Sequence, residues 1–312
     1  MRLGLVLSSL FERHEMPPGH PERSERTRAV ANRLIESGLA DKSIPIESQQ
    51  VTREQMLRIH SERHLAMLES IHRAGGGQID PDTHMGKHSW PIAMLAAGSA
   101  VAAAECVAEG QVDRAFLVVR PPGHHATPDR AMGFCLLNSV SIAARHLLAT
   151  GRARRVLIVD FDVHHGNGTQ QAFWEDPSVV YISTHQWPLF PGTGRREETG
   201  QGQGQGTIFN LPHPPNTVPS AIVEEMRATL ERVQETLPPD FVFISAGFDG
   251  HRADPLADWR LDVGDFVAMT RDTLALANST AGGRVVSLLE GGYDLDVLAD
   301  CTEAHVRELM RD

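Results

Sequence analysis

The sequence of 312 residues has few cysteines, few aromatic residues and no long apolar run. Its three cysteines, Cys106, Cys135 and Cys301, are far apart and form no CxxC pair, which excludes a disulfide framework and a thiolate zinc knuckle. Free thiols are typical of a reducing compartment, so we expect a cytoplasmic protein. No apolar run approaches the roughly 20 residues of a membrane span, so we expect no membrane association.

An excess of positive charge is also absent. The formal net charge is -11 at pH 7, which argues against direct binding to the phosphate backbone of nucleic acids. The hydrophobic fraction of 41% and the charged fraction of 22% are ordinary for a soluble globular protein. No Pro- or Ser-rich linker divides the chain, and the one low-complexity stretch, 200–206, fits a flexible surface loop. We therefore expect a single domain over residues 1–312.

Apolar segments alternate with helical patterns along the chain. Continuous apolar runs predict buried strands at 115–119, 156–159, 179–183, 241–245 and 285–289. Amphipathic or Ala-rich stretches predict helices at 91–108, 138–149, 220–236 and 263–277. This alternation is typical of an α/β fold in which helices cover both faces of a mostly parallel central sheet.

Histidine, aspartate, glycine and tyrosine residues follow the predicted strands. They lie in the segments 120–126, 160–164, 183–185, 246–250 and 290–294. Because ligands bind outside the carboxyl ends of the strands in open parallel sheets, we expect a functional site at this edge of the sheet.

The segment 156–168 carries the strongest signal. Side chains alternate with a period of two in an extended backbone, so Asp160, Asp162 and His164 point to the same side. Two carboxylates and an imidazole buried together are stabilised by a divalent cation, which takes O and N ligands and cancels the charge. The pattern predicts a metal hydrolase site.

The other strand ends are ambiguous when each is taken alone. The His124–His125 pair beside Pro-Pro-Gly also fits a turn with one hydrogen-bonded core histidine, and Asp249 also fits a loop cap. The Gly-Gly-Tyr sequence at 291–293 fits a turn before a helix. Their convergence on one sheet edge favours a functional site over these separate explanations.

Eight short motifs span nearly the whole chain. They lie at 19–26 (GHPERSER), 120–126 (RPPGHHA), 133–138 (GFCLLN), 160–168 (DFDVHHGNG), 190–194 (FPGTG), 245–249 (SAGFD), 254–256 (DPL) and 290–293 (EGGY). In this order they resemble the histone deacetylase superfamily, which includes bacterial acetylpolyamine amidohydrolases and acetoin-utilisation proteins. The resemblance implies an arginase-like three-layer α/β/α fold and an amidohydrolase that acts on acyl-lysine or another acylated amine.

The same resemblance assigns roles to individual residues. It implies one catalytic zinc, or ferrous iron, bound by Asp162, His164 and Asp249, which leaves positions for water and the substrate carbonyl. The implied catalytic residues are His125 as general base and acid, Asn167 orienting it, His124 paired with Asp160, and Tyr293 as donor to the oxyanion. The implied tunnel and rim residues are Gly133, Phe134, Phe190 and Leu256, and Arg26 matches a residue of an internal product channel.

Two further sites follow from the resemblance or from position. A potassium ion near Asp160, the main chain around Asp162 and His164, and the side chains of Ser183 and Thr184 is implied by the resemblance alone. The polar segment with Asp80, Asp82 and His84 fits either a substrate-facing rim or a solvated loop, and we favour the loop.

Three positions separate the branches of the superfamily. Asn167 stands where some branches carry Asp, as it does in the class II-like branch that this chain resembles, and an amide fixes an imidazole tautomer without stabilising imidazolium. Leu256 stands where acetylpolyamine-selective members tend to carry an acidic residue, which favours acyl-lysine or neutral acylamides, although the net charge of -11 weakly favours a cationic substrate. Tyr293 stands where a nearly inactive branch carries His, which predicts an active enzyme.

Three alternative functions remain open. One is an acetylpolyamine amidohydrolase, and another is a ureohydrolase with two manganese ions, for which the residues after His164 offer no obvious second set of ligands. The third is a non-catalytic acylamide-binding protein, against which His125 and Tyr293 argue. The sequence predicts no oligomeric state.

Overall fold

The computed structural model describes residues 1–312 and contains ten β-strands and ten α-helices. The strands are β1 (Leu3–Leu7), β2 (Ile44–Pro45), β3 (Gly77–Gln78), β4 (His84–Met85), β5 (Arg114–Val118), β6 (Val156–Asp160), β7 (Val179–Gln186), β8 (Ile208–His213), β9 (Phe241–Ala246) and β10 (Val285–Leu289). The helices are α1 (Glu25–Glu36), α2 (Leu39–Lys42), α3 (Arg53–Leu57), α4 (Glu62–Arg73), α5 (Ser89–Ala108), α6 (Ser139–Ala149), α7 (Asn167–Ala172), α8 (Pro219–Thr236), α9 (Val263–Thr280) and α10 (Leu295–Leu309).

Eight strands form one sheet in the order β2-β1-β5-β10-β9-β6-β7-β8, and every neighbouring pair in it is parallel. Strands β3 and β4 form a separate antiparallel pair. Because all strands of the large sheet run the same way, their carboxyl ends meet at one edge. The predicted parallel α/β architecture is confirmed.

The sheet separates two apolar cores. Along β6, Val156 and Ile158 pack into one core, whereas Leu157 and Val159 pack into the other, as the period of two requires. Helices α5 and α6 cover the first face, and α1, α8, α9 and α10 cover the second. This arrangement is the three-layer α/β/α fold, and it explains why the strands are apolar on both faces.

Helix α5 corrects one sequence expectation. It is long and apolar enough, by length and composition, to cross a membrane, contrary to the expectation that no segment is. In the structure 72% of its apolar window is buried, mostly in the core on the first face of the sheet. Small residues such as Ala96, Ala97 and Ala100 let it pack closely, which is typical of a buried core helix.

Loops and caps place the functional segments. Asn138 caps α6 by accepting a hydrogen bond from the Ser141 N–H at 3.0 Å, and Asp294 caps α10 by accepting from the Val297 N–H at 3.0 Å. The segment 200–206 is bound to the body of the protein rather than free, because the Gln201 N–H donates to the Trp174 carbonyl at 2.9 Å. The cap at Asp294 fixes the start of α10 directly after the Gly-Gly-Tyr segment.

Candidate active site

The neighbouring strands β5, β10, β9 and β6 deliver the polar residues to one place on the carboxyl edge of the sheet. His124 and His125 follow β5, Asp162 and His164 follow β6, Asp249 follows β9, and Tyr293 follows β10. These strands are central in the sheet, so the site has buried apolar layers on both sides. The sequence order of the motifs differs from their spatial order, yet the structure brings them together.

Asp162, His164 and Asp249 form a compact group of side chains of the types that bind metal ions. One ligand atom from each lies within 4.8 Å of the others. The Nδ1 atom of His164 lies 3.1 Å from Asp162 Oδ1 and 3.0 Å from Asp249 Oδ2. Burial opposes a charge on this imidazole, but the two carboxylates raise the pKa of His164 to about 10. The site therefore strongly favours positive charge at the point where these three groups meet.

Two glycines leave room for this group. A Cβ atom on Gly291 would overlap Asp249 Oδ2 and would lie 2.5 Å from Asp162 Oδ2, and one on Gly247 would overlap Asp162. The Gly291 N–H donates to Asp162 Oδ2 at 2.8 Å, and the Val163 N–H donates to Asp249 Oδ1 at 3.0 Å. Both carboxylates are thus oriented by backbone donors with one oxygen left to face the imidazole. The donor set and its cradle fit a divalent metal ion.

His124 is held by carboxylates. Its Nδ1 atom lies 3.0 Å from Asp160 Oδ2, and its Nε2 atom lies 3.8 Å from Asp162 Oδ1. Burial lowers the pKa of His124, but the charges of Asp162 and Asp160 outweigh burial and hold this pKa well above its usual range. Asp160 also accepts a hydrogen bond from the Tyr181 hydroxyl at 2.9 Å. His124 is therefore held as a cation.

His125 has a neutral partner. Its Nδ1 atom lies 2.8 Å from the amide oxygen Oδ1 of Asn167. Burial, followed by the positive charges of His124 and His164, holds the pKa of His125 well below its usual range. Because an amide oxygen can only accept a hydrogen bond, the ring nitrogen that faces it must donate, which places the ring proton on Nδ1 and leaves the lone pair on Nε2. His125 is therefore a neutral base.

Tyr293 faces these histidines across a cavity of about 190 Å³. Its ring packs against Phe134 with centroids 5.9 Å apart, and the guanidinium of Arg26 lies 4.8 Å from its ring centroid. Burial raises the pKa of the Tyr293 phenol well above its usual range, so the hydroxyl keeps its proton. Its backbone N–H donates to Asp254 Oδ2 at 2.6 Å.

The predicted tunnel residues all line this cavity. They are Gly133, Phe134, Phe190 and Leu256, and the same cavity is lined by His125, His164 and Tyr293. The ring of Phe190 lies 5.1 Å from that of His125, edge to face, and Phe190 is 38% exposed. The cavity thus has apolar walls and polar groups at defined points, as small-molecule sites do.

The turn at Gly133 and Phe134 is conformationally demanding. Both residues have positive φ, at 56° and 67°, which is rare for a bulky residue such as phenylalanine. The Phe134 N–H donates to the Thr83 hydroxyl at 3.2 Å, which helps to hold this conformation. A Cβ on Gly133 would overlap the His125 ring, so only glycine fits beside the base. Strain of this kind concentrates at functional sites.

Arg26 lies behind Tyr293 rather than on the cavity wall. It is fully buried, and it donates to the carbonyls of Gly292 at 2.6 Å and Glu290 at 2.5 Å and to the Glu22 carboxylate at 3.1 Å. It does not line the cavity that contains His125 and Tyr293. The internal product channel stays a prediction, and the observed contacts of Arg26 hold the loop before α10.

The polar segment at 80–84 was expected to be either a substrate-facing rim or a solvated loop, and its residues differ in this respect. Asp82 lines the cavity, so the solvated-loop interpretation is wrong for this residue. Asp80 instead accepts hydrogen bonds from the backbone N–H groups of Asp82 and Thr83, at 3.2 and 2.8 Å. His84 lies on β4 and does not line the cavity.

The residues of the expected potassium site lie side by side. Ser183 and Thr184 are fully buried on β7, and Ser183 is paired in register with Asp160 of β6. This placement agrees with the expected set of side chains, and the ion itself stays a prediction.

Sequence reasoning assigned no role to Glu290, although it lies directly after a predicted strand. Its Oε2 atom accepts from the backbone N–H groups of Gly123 and His124, at 2.6 and 3.3 Å, and its Oε1 accepts from the Ser245 hydroxyl at 3.1 Å. Burial raises the pKa of Glu290 to about 7, against the opposing charge of His124. Glu290 thus joins the ends of β5, β9 and β10 beneath the histidine pair.

Comparison with known proteins agrees with this geometry. Residues 20–309 match the family model described as the histone deacetylase domain. The chain is 39% identical to a probable deacetylase of Archaeoglobus fulgidus, over 95% of this chain and 82% of that protein. It is 35% identical to chloroplastic histone deacetylase 14 of Arabidopsis thaliana, over 93% of this chain and 73% of that protein. It is 36% identical to human histone deacetylase 9, over 98% of this chain but only 34% of that longer protein.

A solved structure shows the same fold. The crystal structure of the HDA15 HD domain superposes with a TM-score of 0.93 at 34% identity and covers 99% of this chain and 88% of that one. The fold and the site define a deacetylase-type amidohydrolase of the α/β class. The chain belongs to the histone deacetylase family, and it is an enzyme of the deacetylase class that this family contains.

Proposed function

We propose that this enzyme is a zinc-dependent amidohydrolase that removes acetyl or related acyl groups from acyl-lysine or a similar aminoalkyl amide. The observation that carries the proposal is that the ligand His164 lines the same narrow cavity as the neutral base His125 and the protonated Tyr293. A scissile amide in this cavity would contact all three groups at once.

The residues that would hold the metal are Asp162, His164 and Asp249, whose three ligand atoms and glycine cradle fit a divalent ion. When bound, zinc or ferrous iron supplies a Lewis acid that polarises the carbonyl and lowers the pKa of water. Because two of the three ligands are carboxylates, much of the ion's charge is neutralised, and a separate general base becomes necessary.

His125 supplies that base. Its Nε2 carries the lone pair, since Nδ1–H donates to Asn167, and its low pKa keeps it neutral and ready to accept a proton from the attacking water. The proton then passes from Nε2 to the nitrogen of the leaving amine. His124, held as a cation by Asp160 and Asp162, does not take up this proton and contributes positive charge beside the reacting carbonyl.

Tyr293 stabilises the oxyanion. Its hydroxyl has no hydrogen-bond partner within the protein, and burial keeps it protonated, so it is free to donate to the oxygen that becomes negative. A donor placed where charge develops lowers the barrier more than one that binds the ground state equally well.

The cavity indicates the kind of substrate. The rings of Phe134 and Phe190 offer apolar walls for an aminoalkyl chain, and Leu256 offers no charge to a free ammonium. Asp82 is the one carboxylate on the wall outside the metal group. We therefore propose acyl-lysine or another neutral acylamide over an acetylated polyamine. A cytoplasmic location is part of the proposal, since all three thiols are free.

The proposal is tested with zinc-loaded enzyme and a panel of acetyl-lysine peptides, longer acyl-lysine peptides and N-acetylated polyamines. We expect one metal per chain by elemental analysis and the highest kcat/KM on an acyl-lysine peptide. Tyr293→Phe should keep its metal and lose about 10²–10³-fold in kcat, as the loss of one oxyanion donor does. His164→Ala should lose the metal, whereas the matched variant His72→Ala, on α4, should keep it.

Three results would contradict the proposal. Two metal ions per chain would favour a binuclear ureohydrolase. Absence of turnover on every acylamide, with binding retained, would favour a non-catalytic binding protein. Unchanged kcat in Tyr293→Phe would remove the assigned role of the hydroxyl.

A further inference from the structure

Asp254 lies in the loop between β9 and α9, five positions after the metal ligand Asp249, and its side chain reaches the Tyr293 loop. Its Oδ2 accepts from the Tyr293 N–H at 2.6 Å and from the Asp294 N–H at 3.4 Å. Its Oδ1 accepts from the Leu256 N–H at 3.1 Å. One buried carboxylate therefore joins the cavity wall at Leu256 to the backbone of Tyr293.

The Tyr293 loop needs such an anchor. Tyr293 follows two glycines, which give the loop little intrinsic stiffness, and Gly292 has a φ of 119° that other residues rarely adopt. The Tyr293 hydroxyl has no partner in the protein, so its position depends on ring packing and on the backbone. Arg26 holds the preceding carbonyl of Gly292 at 2.6 Å, and Asp254 holds the N–H of Tyr293 itself.

We propose that Asp254 is a positioning residue that sets the place of the Tyr293 hydroxyl for the reaction. This inference rests on the proposed role of Tyr293 as oxyanion donor. A buried carboxylate is expensive unless donors satisfy it, and here the three donors are backbone groups of the cavity wall, the tyrosine and the start of α10. The side chain of Asp254 thus connects the cavity wall to the backbone of Tyr293.

Asp254→Asn isolates the contact with Tyr293. The asparagine can keep Oδ1 on the Leu256 N–H, but it then presents an NH₂ group to the Tyr293 N–H, where two donors repel. Turning the amide over restores one contact and breaks the other. Asp258→Asn is the matched control, because Asp258 is in the same loop, is exposed and makes no side-chain hydrogen bond.

We expect Asp254→Asn to bind one metal and to lose about ten- to a hundredfold in kcat, because small displacements of catalytic groups cost this much. KM should change less than threefold, and Asp258→Asn should match the wild type. In a double-mutant cycle, Asp254→Asn should have little further effect in the Tyr293→Phe background, because the hydroxyl that it positions is already absent.

The outcomes separate this inference from the proposed function. If Tyr293→Phe keeps full kcat, the role of Tyr293 fails. If Tyr293→Phe is impaired but Asp254→Asn is not, or if the two losses multiply in the double variant, the positioning role fails while the proposed function stands. If Asp254→Asn does not accumulate as folded protein, Asp254→Ser replaces it, because serine leaves the Tyr293 N–H without its acceptor. The same double-mutant cycle with Tyr293→Phe is then measured, and the same outcomes decide.

Discussion

His124 and His125 are adjacent in sequence, and their ring centroids lie 4.0 Å apart, yet their pKa values move in opposite directions. Burial lowers the pKa of both rings, but the carboxylates of Asp162 and Asp160 outweigh it at His124. At His125 the charges of His124 and His164 add to burial, and the hydrogen-bond partner is only the neutral amide of Asn167. The two shifts are linked, because the charge on His124 helps to keep His125 neutral. Because of this difference in pKa, His124 stays protonated while His125 is neutral and can accept a proton.

This difference predicts unequal effects of two alanine substitutions. His125→Ala should lose about 10²–10⁴-fold in kcat, because it removes the group that transfers the proton. His124→Ala should lose less, because it removes only a neighbouring charge. The measurement is kcat at matched metal content, and equal losses in the two variants would refute the division of roles.

Gly291 should be intolerant of any side chain. In Gly291→Ala the added methyl group would meet Asp249 and Asp162, so we expect weaker metal binding by at least about tenfold, the effect seen when groups that orient metal ligands are disturbed. Metal affinity is measured by competition with a chelator. Gly77→Ala is the control, since its Cβ would meet only Ile71, at 3.7 Å. Wild-type affinity in Gly291→Ala would mean that the cradle is not rigid.

Leu256 should set the preference between neutral and cationic substrates. Leu256→Asp places a carboxylate on the cavity wall, and we expect the ratio of kcat/KM for N-acetylated polyamine to that for an acetyl-lysine peptide to rise about tenfold. Leu256→Asn adds polarity without charge and should change the ratio much less. An equal change in both variants would assign the effect to shape rather than to charge.

Three buried histidines should make the fold sensitive to acid. Burial lowers the pKa of His60 and of His305 to about 3 and that of His185 to about 4, so all three are neutral in the folded protein at neutral pH. In the unfolded chain each takes up a proton below about pH 6.5. The contribution of each histidine to stability is therefore fully present above about pH 6.5, and it falls towards about pH 4 by about 1.4 kcal/mol per pH unit.

The check is urea unfolding between pH 7 and pH 5. His305→Gln removes one of these groups, and its free energy of unfolding should fall less steeply with acidification than that of the wild type, whatever its absolute stability. His305 is hydrogen-bonded to the hydroxyls of Thr270 and Ser287, at 2.7 and 2.9 Å, so we expect His305→Gln to be less stable than the wild type at every pH. Parallel slopes for the two proteins would contradict the assignment of a neutral buried imidazole.

The central strands could be predicted from the sequence because they are buried on both faces. Predicted strands at 156–159 and 241–245 match β6 and β9 within one residue, since continuous apolar runs have few other interpretations. Strand β8 was missed because it lies at the sheet edge, is interrupted by the polar residue Asn210 and contains Pro212. The two-residue strand β2 is too short for any periodic signal.

The site was predictable in part for a different reason. Asp160, Asp162 and His164 are close in sequence at the end of β6, so a single short segment brings them together. The contacts of Glu290 and Asp254 with backbone N–H groups more than 35 residues away leave no local pattern in the chain. Such contacts are visible only once the strands have been ordered in space.

The three candidate metal ligands and the glycine that orients one of them are synthesised at different times. Asp162 and His164 leave the ribosome well before Asp249, and the Gly291 N–H that orients Asp162 lies 129 residues after it. A growing chain therefore carries two of the three ligands but neither the third nor the cradle. On the proposed role of this group, tight binding of a metal ion requires that β9 and β10 have joined the sheet, so the ion would stabilise only the nearly complete protein and would not template its early folding.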